Sequence, residues 1–153
     1  MFFQWNSKVG WRYRYNNPLI PSDGTSIWNS SWNGNGATIW EKANDPCPSG
    51  WRMPSQSELN ALMSSGSVWT TENGMNGRRF GSGSNTLFLP AVGTLNYYDG
   101  TQCLQNSWGG YWSSTQDINS NAHVLSFNSD SVYLDSRWVM ANANGFSCHC
   151  VAE

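Results

Sequence analysis

One stretch of this 153-residue sequence has a clear helical pattern, and this limits the fold to a mainly β architecture. Ser55 and Glu58 have the spacing of a capping box at the start of a helix. Gly66 is placed to end the helix in the left-handed conformation. The apolar residues between them recur at helical intervals: Leu59, Leu62 and Met63. We therefore predict a helix of about ten residues that begins at Ser55.

The rest of the sequence consists of short apolar runs separated by Asn, Gly, Ser and Pro, a pattern typical of strands and turns. Residues 86–91 fit either a buried strand or an extended loop. Residues 26–40 are rich in Asn, Gly and Ser but contain several tryptophans, and we predict an ordered loop held by its indole rings. A hairpin turn is expected at residues 128–130. The clearest predicted strands are 11–15, 110–115, 122–128, 131–134 and 145–151.

Charge and hydropathy exclude two classes of partner. Only 12% of the residues are charged and the net charge is −2, whereas 14% are aromatic. Basic residues cluster only in pairs, so the basic stripe of a nucleic-acid-binding protein is missing. No apolar run reaches the ~18 residues of a membrane span, and we expect no direct membrane insertion. Residues 1–5 lack the basic and apolar regions of a secretory signal peptide.

Catalytic groups are sparse and scattered in the sequence. The two histidines are His123 and His149, and the second lies between two cysteines. Serines are abundant, but none stands in the G-x-S-x-G pattern of a hydrolase nucleophile. Residues 81–84 are Gly-rich but lack the lysine of a phosphate-binding loop. We expect no enzymatic activity, no cofactor and no metal.

Four cysteines allow three disulfide pairings: Cys47, Cys103, Cys148 and Cys150. They do not form the CxxC pairs of zinc sites, although Cys148-His149-Cys150 with Cys47 is an alternative metal cluster. We favour disulfides formed in an oxidising compartment. Residues 148 and 150 of a strand project to the same face, which suits two neighbouring bridges.

Four sequence motifs, in order, resemble those of the Fibrobacter succinogenes major paralogous domain. They are NDPCPSGWRMPS at 44–55, LFLPA at 87–91, GYWSST at 110–115 and ANGFSxxCV at 143–151. The resemblance covers nearly the whole chain. That family resembles a branch of the C-type-lectin fold, which implies one C-type-lectin-like domain over residues 1–153. The expected fold class is α+β, with a short helix, twisted antiparallel sheets and long loops.

The resemblance also implies a function. Some family members are variable proteins of diversity-generating retroelements, in which mutagenesis of template adenines diversifies Asn codons on a fixed scaffold. Residues 110–115 and 145–151 would then be scaffold, and Cys47 would pair with Cys150. The family usually has Val-Arg where this chain has Cys148-His149, so we hypothesise a second bridge from Cys103 to Cys148. Members of the family also often have Arg at the position of Asn142. The signatures of calcium-dependent sugar binding are missing, and no calcium site is implied.

A tunable binding face is expected between and just before the scaffold segments. The side chains there mix charged, aromatic and apolar types, as binding faces do. Trp138 and Met140 could equally be core residues. The predicted ligand-binding residues are Tyr97, Tyr98, Asn106, Trp108, Asn119, Asn121, His123, Ser126, Asn128, Asp130, Tyr133, Asp135, Arg137, Trp138 and Met140.

The expected function is receptor or ligand recognition, as in a phage receptor-binding tip or a bacterial surface adhesin. The partner would be a protein or glycan receptor on a cell surface, and the protein would be extracellular, at the cell surface or on a virion. A homo-oligomer is compatible with this function. One alternative is a structural surface-decoration module without an evolved ligand site. Another is an enzyme related to formylglycine-generating enzymes, which would need a reactive cysteine in a cleft.

Overall fold

The structure is a computed structural model that describes residues 1–14, 17–136 and 141–153. This part of the chain contains one α-helix, α1 (Gln56–Ser64), and three short 3-10 helices (Gly34–Gly36, Lys42–Asn44 and Ala141–Ala143). The strands are β1 (Phe2–Phe3), β2 (Gly10–Arg14), β3 (Asn17–Pro21), β4 (Trp51–Arg52), β5 (Ser67–Glu72), β6 (Met75–Ser82), β7 (Asn85–Pro90), β8 (Thr94–Leu95), β9 (Gln102–Cys103), β10 (Gly109–Gln116), β11 (Ala122–Phe127), β12 (Val132–Asp135) and β13 (Val151–Ala152).

The strands form small antiparallel sheets. Three sheets have three strands each, in the orders β1-β2-β3, β5-β6-β7 and β10-β11-β12, and two pairs join β4 to β13 and β8 to β9. With one short helix, this arrangement confirms the predicted α+β class. Among the described residues, no helix combines the length and the apolar character needed to cross a bilayer.

The helix begins as predicted, with a complete capping box. The Ser55 hydroxyl accepts a hydrogen bond from the Glu58 N–H, and the Glu58 carboxylate accepts one from the Ser55 N–H at 2.8 Å. The Arg52 guanidinium binds both oxygens of the same carboxylate, at 2.8 and 2.7 Å. Gly66 follows the helix with a φ of +80°, the left-handed conformation expected there. Glu58 therefore joins the helix start to strand β4.

Glu58→Gln is expected to lower the free energy of unfolding in a pH-dependent way. Hydrogen bonds from Arg52 and from the Ser55 backbone lower the pKa of Glu58 from 4.5 to about 2. Because the folded-state pKa is the lower one, the stabilisation is present above pH 4.5 and is lost as the pH falls through about 2. The Arg52 and Glu58 side chains are each 39% exposed, so solvent screening limits the loss of unfolding free energy to about 1 kcal/mol.

Urea unfolding of the wild type and of Glu58→Gln at a series of pH values tests this expectation. The two proteins should differ by about 1 kcal/mol at neutral pH and converge near pH 2. A difference that stays constant across this range would show that Glu58 acts through packing or capping and not through its charge.

The sheet β10-β11-β12 is the central layer, because hydrophobic clusters cover both of its faces. Every residue of strand β11 except His123 is buried. One face packs against α1 and the β6-β7 hairpin through the first cluster: Leu59, Phe80, Leu89, Ala91, Tyr111, Leu125 and Phe127. The other face contributes to an indole-rich cluster: Trp5, Trp40, Met53, Trp108, Trp112, Ala122, Val124 and Phe146.

The predicted strand at 145–151 is mostly wrong. Residues 145–147 make single bridges to three different elements, at Leu95, Phe3 and Tyr111, and regular pairing occurs only at β13. The segment crosses these elements instead of running along one of them. It is nevertheless deeply placed, because the fully buried Phe146 packs on Trp112 with their ring centroids 4.6 Å apart.

The disulfide between Cys47 and Cys150 is present, and it links positions 103 residues apart. The hypothesised second bridge is wrong, since Cys103 and Cys148 are both free. Cys103 is exposed on β9, where it pairs with Thr94, whereas Cys148 packs against the indole-rich cluster. Partial desolvation of the Cys103 sulfur and the burial of the Cys148 sulfur raise the pKa of both thiols, which is the opposite of an activated cysteine.

The alternative metal cluster of Cys47 with Cys148-His149-Cys150 does not have free sulfur ligands at all three cysteines. Two of its sulfur atoms, those of Cys47 and Cys150, are bonded to each other and cannot act as thiolates. Within residues 1–14, 17–136 and 141–153, no group of three His, Cys, Asp or Glu side chains is placed to hold a metal ion.

Candidate binding surface

The loop that precedes the disulfide region is held in place by tryptophan side chains, as the sequence predicts. Trp28 Nε1 donates a hydrogen bond to the Tyr97 carbonyl at 2.7 Å, and Trp32 Nε1 donates one to the Trp5 carbonyl at 2.6 Å. Trp40 Nε1 donates to a carbonyl four residues on, at 2.9 Å. Residues 22–36, here called the first loop, are therefore fixed to the segment around Tyr97 and to the buried Trp5.

A second loop, residues 96–101, joins β8 to β9 beside the first. The Tyr97 N–H donates to Asn144 Oδ1 at 3.2 Å, and the Tyr98 N–H donates to Asn96 Oδ1 at 2.8 Å. Since Trp28 reaches the Tyr97 carbonyl, the first and second loops are directly connected. The hydrogen bonds of Tyr97 and Tyr98 use main-chain N–H groups, and the Tyr98 side chain remains exposed.

A third loop, residues 117–121, joins β10 to β11 and is organised by one carboxylate. Asp117 Oδ1 accepts hydrogen bonds from the Asn119 and Asn121 N–H groups at 2.8 and 3.0 Å. Its Oδ2 accepts one from the Ser136 hydroxyl at 2.7 Å. These donors, led by the Asn121 N–H, lower the pKa of Asp117. The carboxylate is therefore used within the loop.

Two buried amide side chains anchor the first loop, and one of them also connects it to the third loop. Asn142 Nδ2 donates to the Ser120 carbonyl at 3.2 Å and to the Asn33 carbonyl at 3.4 Å, so it bridges the third and first loops. Gln4 Nε2 donates to the Asn29 carbonyl at 2.7 Å and to the Ala143 carbonyl at 2.9 Å. We call the surface formed by the three loops, residues 22–36, 96–101 and 117–121, the loop face.

Each loop of the loop face presents one strongly exposed apolar side chain. Ile27 is 88% exposed in the first loop, Tyr98 is 76% exposed in the second and Ile118 is 99% exposed in the third. Isolated exposed apolar residues are common on proteins, whereas contiguous apolar patches mark interaction sites. We call these three side chains the apolar tips.

Part of the predicted binding set lies on the loop face. Tyr97 and Asn121 are half-buried there, and Tyr98 and Asn119 are exposed. Two further predicted residues lie on the strands next to it. His123 is half-buried, with Nδ1 3.4 Å from the Thr115 carbonyl. Asp135 is half-buried on β12, opposite Val124.

Other predicted residues lie away from the loop face. Asn128 and Asp130 are in the turn at the opposite end of the β11-β12 hairpin, where Asn128 Oδ1 accepts the Asp130 N–H at 2.9 Å. Arg78 fixes this turn by donating to the Asn128 carbonyl at 2.9 Å. Asn106 is tied to β6, since its Oδ1 accepts the Asn76 N–H at 2.7 Å. These asparagines hold turns in place.

Two of the predicted face residues are buried, and their assignment to an exposed face is corrected. Trp108 is 9% exposed and packs on Phe146 with the ring centroids 5.6 Å apart. Its ring lies over Gly110, where a Cβ atom would come within 2.3 Å of it. Ser126 is 3% exposed and pairs with Gly110 on one side and with Tyr133 on the other.

Tyr133 is 51% exposed, but it lies on the edge strand β12 and not in a loop. The predicted residues Arg137, Trp138 and Met140 lie outside the described residues. Sequence reasoning missed the tips Ile27 and Ile118. Ile118 is a single apolar residue between Asp117 and Asn119, which is a signal that could have identified it, whereas Ile27 is followed by Trp28 and has no such signal.

The comparisons with known proteins give no match to a family model, to a curated protein or to a solved structure. The family resemblance of the four motifs therefore stays a prediction.

Proposed function

We propose that this protein is a recognition domain that binds a protein or glycan receptor on a cell surface through the loop face. The observation that carries the proposal is the presence of three exposed apolar tips, Ile27, Tyr98 and Ile118, on three connected loops. Apolar and aromatic side chains of this kind supply most of the affinity in protein interfaces. Exposing them to water is unfavourable unless a partner covers them.

The hydrogen bonds behind the apolar tips support this function. Gln4 and Asn142 are buried, and each binds two carbonyl groups of different segments. Loops that are ordered before binding lose less conformational entropy when a partner arrives. Short polar residues surround the tips, and such residues supply adaptable hydrogen bonds in antibody paratopes.

We also propose the finer assignment of a C-type-lectin-like fold and of a variable protein of a diversity-generating retroelement. The four family motifs, the link between Cys47 and Cys150 and the long loops beside antiparallel sheets support it. A disulfide suits an oxidising compartment, so the proposed location is extracellular, at a cell surface or on a virion.

Replacing the three apolar tips by serine tests the proposal. The wild-type protein should bind at least one member of a panel of bacterial cells and immobilised glycans. Ile27→Ser/Tyr98→Ser/Ile118→Ser should weaken that binding at least tenfold, since hot-spot side chains contribute about 1 kcal/mol or more each. The melting temperature should stay nearly unchanged, because all three side chains are exposed.

Val68→Ser is the matched control for this experiment. Val68 is 63% exposed on β5, in a sheet that contributes nothing to the loop face, and its replacement should not change binding. Equal losses in the control and in the triple variant would contradict the assignment of the loop face. If the wild type bound nothing in the panel, the surface-decoration function would replace the proposed one.

A further inference from the structure

A cavity of about 270 Å³ lies beside strand β2, and none of the apolar tips lines it. Its polar lining comes from two elements: Arg12 and Arg14 on β2, and Gln102 and Gln105 on and after β9. Tyr13, Met75 and Val92 contribute accessible apolar surface, whereas the lining residues Phe2 and Trp11 are almost fully buried. The cavity thus combines an apolar base with a polar and cationic rim.

The rim carries two positive charges without a compensating negative charge. Arg12 and Arg14 are both exposed, and both line the cavity, although the register of β2 against β3 shifts between Tyr13 and Arg14. No carboxylate is among the side chains that line the cavity. In the part of the chain that the structure describes, the ion pairs involve other basic residues, namely Lys42, Arg52 and Arg79. An anionic ligand would therefore meet two available guanidinium groups.

We propose that this cavity binds a sugar acid, that is, a monosaccharide unit carrying a carboxylate. Guanidinium groups bind carboxylates in paired hydrogen bonds, which assigns the acid group to Arg12 and Arg14. The half-buried Tyr13 of the lining suits the C–H face of a sugar ring, and the glutamine amides can both donate to and accept from hydroxyl groups. Gln102 is already oriented, since its Nε2 donates to the Val92 carbonyl at 3.0 Å.

The size and the apolar base of the cavity favour this ligand over a simple anion. A volume of about 270 Å³ is just below the range of pockets for drug-sized ligands, and it suits a single sugar unit. An inorganic anion would use the arginines but would leave the apolar surfaces of Tyr13, Met75 and Val92 uncovered. This site is separate from the loop face, and it does not depend on the recognition function proposed above.

Titration calorimetry and saturation-transfer NMR with N-acetylneuraminic acid and glucuronic acid test the inference. At least one acid should bind, and its methyl ester should bind at least about tenfold more weakly, because esterification removes the charge. Arg12→Gln/Arg14→Gln should weaken binding of the acid by a similar factor. Lys8→Gln/Lys42→Gln removes the same net charge at exposed positions elsewhere and should change the affinity by less than about twofold.

Three outcomes would overturn the inference: no binding of either acid, equal binding of acid and ester, or equally tight competition by inorganic phosphate. The last would show a general anion site. The variant with all three apolar tips replaced should bind the sugar acid as the wild type does. Failure of the loop-face experiment would therefore leave this result standing, and the two proposals can be judged separately.

Discussion

Replacing Cys47 and Cys150 together by alanine is expected to lower the free energy of unfolding by about 4–5 kcal/mol. The disulfide closes a loop between residues 103 positions apart, and a cross-link over such a span strongly restricts the unfolded chain. It also holds β13 against β4, where Val151 pairs with Arg52. Since natural domains have unfolding free energies of about 5–15 kcal/mol, the variant should be marginally stable. Urea unfolding of both proteins measures the difference.

Cys103→Ser is the control for the disulfide variant. Cys103 is an exposed free thiol, so its replacement should change the free energy of unfolding by less than about 0.5 kcal/mol. A loss below about 1 kcal/mol in the Cys47→Ala/Cys150→Ala variant would contradict the expectation. Such a small loss would mean that the pairing of β4 with β13 and the surrounding core hold residues 47 and 150 together without the disulfide.

Trp112→Ala should cost about 3–5 kcal/mol, because it removes the largest side chain of the central sheet. Trp112 is 0% exposed, it packs on Phe146, and its Nε1 donates to the Phe3 carbonyl at 2.7 Å. The substitution therefore leaves a cavity and also an acceptor without its donor. Urea unfolding monitored by circular dichroism measures the loss.

Trp51→Ala is the matched control, since Trp51 is 45% exposed on β4. Its removal should cost about 1 kcal/mol or less. Equal losses for the two tryptophans would indicate that the cluster around Trp112 and Phe146 relaxes to fill the space, and the assignment of Trp112 to the centre of the core would have to be revised.

The elements that the sequence predicted well are specified by local interactions. The capping box of Ser55 and Glu58 lies within one helical turn, and it formed as expected. The strands β10, β11 and β12 follow alternating or continuous apolar runs between turn residues. The hairpin of β5 and β6 was missed, although Asn73-Gly74 is a strong turn signal and both residues have positive φ. Two adjacent arginines in β6, Arg78 and Arg79, obscured its strand pattern.

The parts that the sequence could not provide depend on distant segments. Trp108 and Ser126 look like exposed residues in a polar stretch, but Trp108 packs on Phe146, which arrives from near the end of the sequence. The sequence allows a disulfide between Cys103 and Cys148, because no neighbouring residue shows that Cys103 is exposed and that Cys148 packs against the core. The apolar tips lie on three loops that are distant in the sequence, so the sequence alone does not group them.

The contacts that join the three loops end on peptide groups. The amide of Asn142 and the indole of Trp28 donate to main-chain carbonyls, and the Tyr97 N–H donates to Asn144. Every amino acid supplies the same carbonyl, whatever its side chain. Substitution of the exposed side chains of these loops, such as Ile27, Tyr98 and Ile118, would therefore leave these hydrogen bonds in place, whichever residue is introduced.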